Sequence, residues 1–152
     1  LNLVKAEKKD FSKIKKLIQL NKSLVGLPRF SIEKKTDSKK FSLFKAVKGS
    51  EFLGFAEIEF LEGKEARINC IALGEKARGQ QAGKEFLSLL LSFLKEKKIE
   101  RVAVLVLESN TRAISLFEKT GFSFTGLLLG AEEKEVLELE LDFSETTPSY
   151  IS

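Results

Sequence analysis

The stretch between Ile68 and Leu94 narrows the choice of fold more than any other. An apolar run, Ile68 to Leu73, gives way to Arg78, Gly79, Gln80, Gln81, Ala82 and Gly83 and then to an amphipathic segment, Phe86 to Leu94. A strand therefore ends in a loop that opens a helix. The first amides of a helix have no intrahelical partner and converge where the macrodipole is positive, so a pyrophosphate placed there gains several hydrogen bonds at once. Gly79 and Gly83 lack the Cβ atoms that would hold a phosphate away from the backbone. Glycine beside Arg or Lys also occurs in many plain surface loops, and the stretch alone does not decide between the two.

A second junction of the same kind follows. Arg101 to Leu107 is a near-continuous apolar run, as expected of a strand buried on both faces, and Asn110 then opens a segment with Ala113, Ile114, Leu116 and Phe117 that Gly121 stops. Together the two junctions resemble the GNAT superfamily of N-acetyltransferases. That family carries a pattern near R-G-x-G-x-G/A after its fourth strand and N-x-x-A-x-x-x-Y-x-x-x-G-F after its fifth. Here the first is Arg78 to Gly83, and the second is Asn110, Ala113, Phe117, Gly121 and Phe122. Two positions depart from the pattern: Gln81 stands where glycine is usual, and Phe117 where many members have tyrosine.

The resemblance implies an α/β (α+β) fold: a mixed, mostly antiparallel central sheet of about seven strands with helices on both faces and splayed fourth and fifth strands. The elements legible in the sequence agree. Leu1 to Ala6 reads as a strand, and Asp10 caps a helix through Phe11, Ile14, Leu17 and Ile18 that ends near Asn21. Leu24 to Lys40, broken by Gly26 and Pro28, reads as a mobile loop with room for a short helix from Ile32. Phe41 to Val47, Phe52 to Phe60 and Ala66 to Leu73 read as strands joined by turns at Gly49 and Gly63. The helix through Phe86 to Leu94 ends in Lys95, Lys97 and Lys98, and Phe122 to Leu129 with Val136 to Phe143 form a hairpin around Gly130 to Lys134.

A length of 152 residues fits a single domain over 1–152, with a tail frayed from about Ser144. One cysteine, no signal-like start and no apolar run near the roughly 20 residues of a membrane span predict a soluble, cytoplasmic protein with no membrane partner. The absence of histidine removes Ser-His and Cys-His nucleophiles and His-ligated zinc, and no metal is expected. The net charge of +4 is uneven: fourteen basic and four acidic residues precede Gly49, twelve and eighteen follow. That asymmetry fits either an anion-facing side or a lysine-rich solvated surface. Nucleic acid is not the expected partner, because most aromatics of the basic third (Phe11, Phe30, Phe41, Phe44) are needed for the core.

The resemblance also implies the chemistry: acetyl-CoA as cosubstrate, an amine acceptor, and a monomer or homodimer. The pyrophosphate would rest on the amides of Gly79 to Lys84. Main-chain groups at Ile71, Ala72 and Leu73 would pair with the pantetheine arm, one of them serving as oxyanion donor, and Asn110 would bind the arm from the other side. Lys84 or Arg112 would meet an outer phosphate. Phe117 has no proton to give a departing thiolate; it packs either against the cofactor or within the core, just as Asn110 also reads as a plain N-cap. For the base, a hairpin about Gly63 sets Glu59 opposite Arg67 and Glu57 opposite Asn69, all on one face, with Cys70 pointing the other way. Glu57 or Glu59 would hold a cationic amine and accept its proton, or the set is simply a cross-strand ion-pair ladder.

Overall fold

The computed structural model describes residues 1–20, 38–77, 80–129 and 135–144, with only the backbone described at 80, 128 and 129. Most of the loop predicted over Leu24 to Lys40, the whole turn at Gly130 to Lys134 and the tail beyond Ser144 lie outside the described residues. The strands are β1 (Asn2–Lys5), β2 (Phe41–Lys48), β3 (Glu51–Leu61), β4 (Glu65–Leu73), β5 (Arg101–Leu107), β6 (Ser123–Leu129) and β7 (Glu135–Asp142). The α-helices among the described residues are α1 (Phe11–Leu20), α2 (Gln80–Glu96) and α3 (Thr111–Thr120). The strands form one seven-stranded sheet in the order β1-β2-β3-β4-β5-β7-β6. Every neighbouring pair is antiparallel except β4 and β5, which run parallel.

Alternation along the strands fills both faces. Phe44, Ala46, Ala56, Ile58, Ala66 and Ile68 point to one side, where α2 lays down Phe86, Leu87, Leu90, Leu91 and Leu94 and where Phe117 and Phe122 join the same cluster. Leu43, Phe55, Cys70 and Ala72 point to the other and meet Phe11, Ile14 and Leu17 of α1. Phe86, Leu87, Leu90 and Leu94 are fully buried; each contributes about 1.5–3 kcal/mol by leaving water. A buried ion pair ties the start of α1 to the sheet: Lys45 Nζ on β2 lies 3.0 Å from Asp10 Oδ2 and 3.1 Å from Oδ1.

One irregularity shapes the centre of the sheet. Glu59 pairs with Arg67 as the sequence predicts, but Glu57 pairs with Cys70 instead of Asn69, because the register slips between Glu57 and Ile58 and leaves Asn69 as an extra residue on β4. A bulge of this kind bends its strand and increases the local twist. It falls where β4 parts from β5: their parallel ladder runs from Glu65 with Arg101 to Ile68 with Val104 and stops. Beyond that point β4 continues alongside β3, while Leu105 to Leu107 pair with β7. The fourth and fifth strands therefore splay. The slip also corrects the expected direction of Cys70, which lies opposite Glu57 on that residue's face and packs under α1.

At the open end β3 and β4 approach unusually closely. A Cβ on Gly54 would fall on the Ala72 carbonyl oxygen and come within 2.9 Å of Leu73 Cα. Glycine is required there to let the parted end of β4 lie flat on β3.

Candidate active site

The parted strands gather most of the predicted cofactor residues. Ile71 and Leu73 are half-buried and Ala72 is buried on the open end of β4. Arg78 and Gly79 lie outside the described residues. Gln80 opens α2, so Gln80, Gln81, Ala82 and Gly83 form its first turn and carry amides without intrahelical acceptors. That turn holds no acidic side chain to compete for an anion. Gln81 and Lys84 are exposed, and Ala82 and Gly83 are half-buried. Gly83 sits where three elements meet: its missing Cβ would lie 3.6 Å from Leu116 of α3 and 4.0 Å from Leu73 of β4. Those are ordinary contacts, so packing alone does not demand glycine at this position.

Across the opening, Asn110 follows β5 and caps α3, its Oδ1 accepting from the Ala113 amide at 3.2 Å. The cap occupies its carbonyl oxygen. Arg112, in the next turn, is exposed. Phe117 is in the core at 2% exposure, with its ring edge-on to Phe122 at 5.3 Å. Of its two sequence readings, core packing is the one these contacts describe.

The polar cluster on the α1 side of the sheet is built by the bulge. Asn69 Nδ2 donates to Glu57 Oε2 at 2.8 Å and to Glu59 Oε1 at 3.1 Å, so one amide bridges both carboxylates. Glu57 is buried at 2% exposure and Asn69 at 9%. Glu59 also meets Lys40 Nζ at 3.2 Å, and Arg67 Nη1 stands 3.9 Å away. Burial pushes the Glu59 carboxyl up, but the Asn69 amide, the Lys40 ammonium and Arg67 outweigh it and hold the group below the usual carboxylate range. A carboxylate so held is a weak proton acceptor. Lys40 has no motif in the sequence to mark it; it ends a polar stretch and is placed only by the strand that follows.

A separate groove of about 730 Å³ lies at the opposite end of the sheet, among Leu91, Arg101, Gly121, Thr125 and Asp142. None of the predicted site residues line it.

A mixed sheet whose single parallel pair opens beside a helix N-terminus has the topology of the N-acetyltransferase class. The chain belongs to the acetyltransferase (GNAT) family, whose sequence profile matches residues 11–122. Solved structures of similar fold include the ribosomal-protein-S18-alanine N-acetyltransferase of Escherichia coli (17% identity, 97% of each chain covered, TM-score 0.76). The spermidine N-acetyltransferase of Vibrio cholerae in complex with CoA and spermine is another (15% identity, 94% of this chain and 95% of that one, TM-score 0.81). The ribosomal-protein-alanine N-acetyltransferase of Brucella melitensis is a third (17% identity, 93% of this chain and 99% of that one, TM-score 0.77). No curated protein matches the chain in sequence. No described helix is long and apolar enough to cross a membrane.

Proposed function

We propose that the chain transfers acetyl from acetyl-CoA to a primary amine by direct attack on the thioester, without an acyl-enzyme. The observation that carries this reading is the end of the β4–β5 ladder at Ile68 and Val104, with the first turn of α2 beside the opening. The amides from Gly79 to Lys84 would hold the pyrophosphate. Main-chain groups of Ile71, Ala72 and Leu73 would pair with the pantetheine arm as a neighbouring strand does, one amide facing the thioester oxygen. Asn110 would close the other side, and Lys84 or Arg112 would meet an outer phosphate.

Acetyl-CoA supplies an already activated acyl group, so the protein has to orient, polarise and manage protons. We assign the proton-accepting role to Glu57, acting directly or through water, because Glu59 is held low by the Asn69 amide, the Lys40 ammonium and the nearby Arg67 charge. Asn69 keeps the two carboxylates together. As the nitrogen–carbon bond forms and the carbon–sulfur bond breaks, the amine's proton passes toward Glu57. The leaving sulfur takes a proton from water, since Phe117 has none to give. A thiol of pKa around 8.5 leaves readily enough near neutral pH for this to suffice.

The buried Phe117 and Gln81 favour one second reading, a GNAT domain that binds CoA or an acyl-CoA as a sensor without transferring the group. Relatives of this fold are named for acceptors as different as spermidine and the alanine of a ribosomal protein, so the fold alone does not choose the amine. Thermal unfolding with acetyl-CoA, followed by thiol release across a panel of amines, separates the readings. A raised Tm with thiol release supports the enzyme. A raised Tm with no release on a broad panel supports the sensor, and an unchanged Tm refutes both.

A further inference from the structure

The geometry points to an acceptor that carries a carboxylate a few bonds from its amine, an amino acid or a molecule built like one, with Arg67 as the residue that selects it. This inference rests on the acetyl-transfer reading and names the acceptor class for that same site.

Arg67 projects from β4 opposite Glu59, on the face that carries Glu57 and Asn69. Its Nε is shut off from solvent and has no hydrogen-bond acceptor. Its Nη1 stands 3.9 Å from the nearest Glu59 oxygen, beyond hydrogen-bond range. The guanidinium therefore faces a carboxylate, Glu59, that spends its hydrogen bonds elsewhere, on Asn69 and Lys40. The buried Nε gains nothing from a ligand, but a carboxylate that reaches Nη1 adds the charge-assisted hydrogen bond that Glu59 does not make. A third of the Arg67 side chain, 33%, remains exposed, so its end is reachable. The planar fork of a guanidinium matches a carboxylate in shape and charge.

The charge around the cluster agrees. In the sequence the two glutamates suggest a trap for cations, but in the fold Glu59 is offset by Lys40 and Arg67. The helix roofing this face, α1, carries Lys13, Lys15 and Lys16 on its exposed side and no acidic residue. In the turn before it Lys8 and Lys9 stand beside Glu7, 3.4 Å from Lys9 Nζ, and Asp10, which pairs with Lys45, so the net positive charge comes from α1 itself. A polyamine would approach past these ammonium groups at a cost, whereas an anionic acceptor would be drawn in. Arg67 lies opposite Glu59, which Asn69 joins to Glu57, so Arg67 and Glu57 flank one space on the same face. Two side chains reaching into that space can engage a carboxylate and an amine separated by a few bonds.

The test uses the full chain, acetyl-CoA and thiol release, with α-, β- and γ-amino acids each paired with its own carboxamide, and spermidine alongside. In at least one pair the acid should exceed the carboxamide and spermidine about tenfold or more in kcat/KM, the size of one charge-assisted hydrogen bond. Arg67→Gln should erase that preference by raising KM for the acid, while acetyl-CoA still raises the variant's Tm. Carboxamides or spermidine used as well as the acids, or a preference that survives Arg67→Gln, would overturn the inference. If nothing is acetylated although acetyl-CoA raises Tm, the transfer reading fails and the anchor is tested by binding. Calorimetric titration of the same acids and carboxamides into the CoA-loaded chain should then show acid-selective binding lost in Arg67→Gln, and equal binding of both forms would overturn it.

Discussion

Replacing Asp10 with asparagine should destabilise the chain by about 3 kcal/mol at pH 7. The side chain of Asp10 is 6% exposed and that of Lys45 11%, and Asp10 accepts from Lys45 Nζ and from the Glu7 amide at 2.8 Å. Asparagine can keep the Glu7 contact through Oδ1, so the loss is one of charge: a mostly buried ammonium without its counter-ion. Removing one member of a buried pair costs about 3–5 kcal/mol, and the residual exposure of Lys45 places this case at the lower end. Burial raises the Asp10 carboxyl pKa, but the Glu7 amide, Lys45 and Lys9 outweigh it and hold the group below its ordinary value. A depressed folded pKa gives stability that is complete above the unfolded value, about 4, and is lost as pH falls through the folded one. The gap between wild type and Asp10→Asn should therefore close in acid. Urea unfolding followed by circular dichroism suits a chain with no Trp and one Tyr. The double variant Asp10→Asn/Lys45→Met should recover most of the loss, because it removes the uncompensated buried ammonium, keeps the volume of the lysine and leaves asparagine its Glu7 contact. A single-variant loss under about 0.5 kcal/mol, or a double variant no better than the single, would refute the reasoning.

Three further substitutions probe the parted strands. Gly54→Ala places a methyl on the Ala72 carbonyl and should cost about 1–3 kcal/mol in urea unfolding, with weaker acetyl-CoA binding as the end of β4 lifts. Gly83→Ala meets only ordinary contacts at 3.6 and 4.0 Å. It should stabilise α2 by up to about 1 kcal/mol while reducing the Tm rise given by acetyl-CoA, and an undiminished rise would place the cofactor elsewhere. Phe117→Tyr places a hydroxyl at a core position of 2% exposure and should cost about 1–3 kcal/mol without faster thiol release. Faster release at unchanged stability would show that this ring borders the reacting sulfur.

The strands and helices were legible because their apolar positions recur at periods of two and 3.6, and the two glycine-bearing junctions follow apolar runs in both cases. The Asn69 bulge was not. From Cys70 to Leu73 every residue is apolar, so a one-residue slip leaves no break in the pattern, and plain alternation gives the wrong partner for Glu57 and the wrong direction for Cys70. The face shared by Glu57, Glu59 and Asn69 follows from the alternation all the same, because Asn69 is the extra residue and the alternation first breaks at Cys70. Lys45 illustrates a different limit: nothing local distinguishes it from a solvated lysine, and its partner Asp10 lies 35 residues away. Two glutamates on one strand suggest an anionic cleft, but whether they present that charge depends on Lys40 and Arg67, which only the folded register brings to Glu59.

Amide hydrogen exchange with and without CoA probes the parted strands themselves. Protection should rise in peptides covering Asn69 to Gly74 and the first turn of α2, and stay unchanged along Arg101 to Val104, where β5 already pairs with β4 and β7. Protection confined to other segments, or none at saturating CoA, would contradict a cofactor seated between β4 and β5.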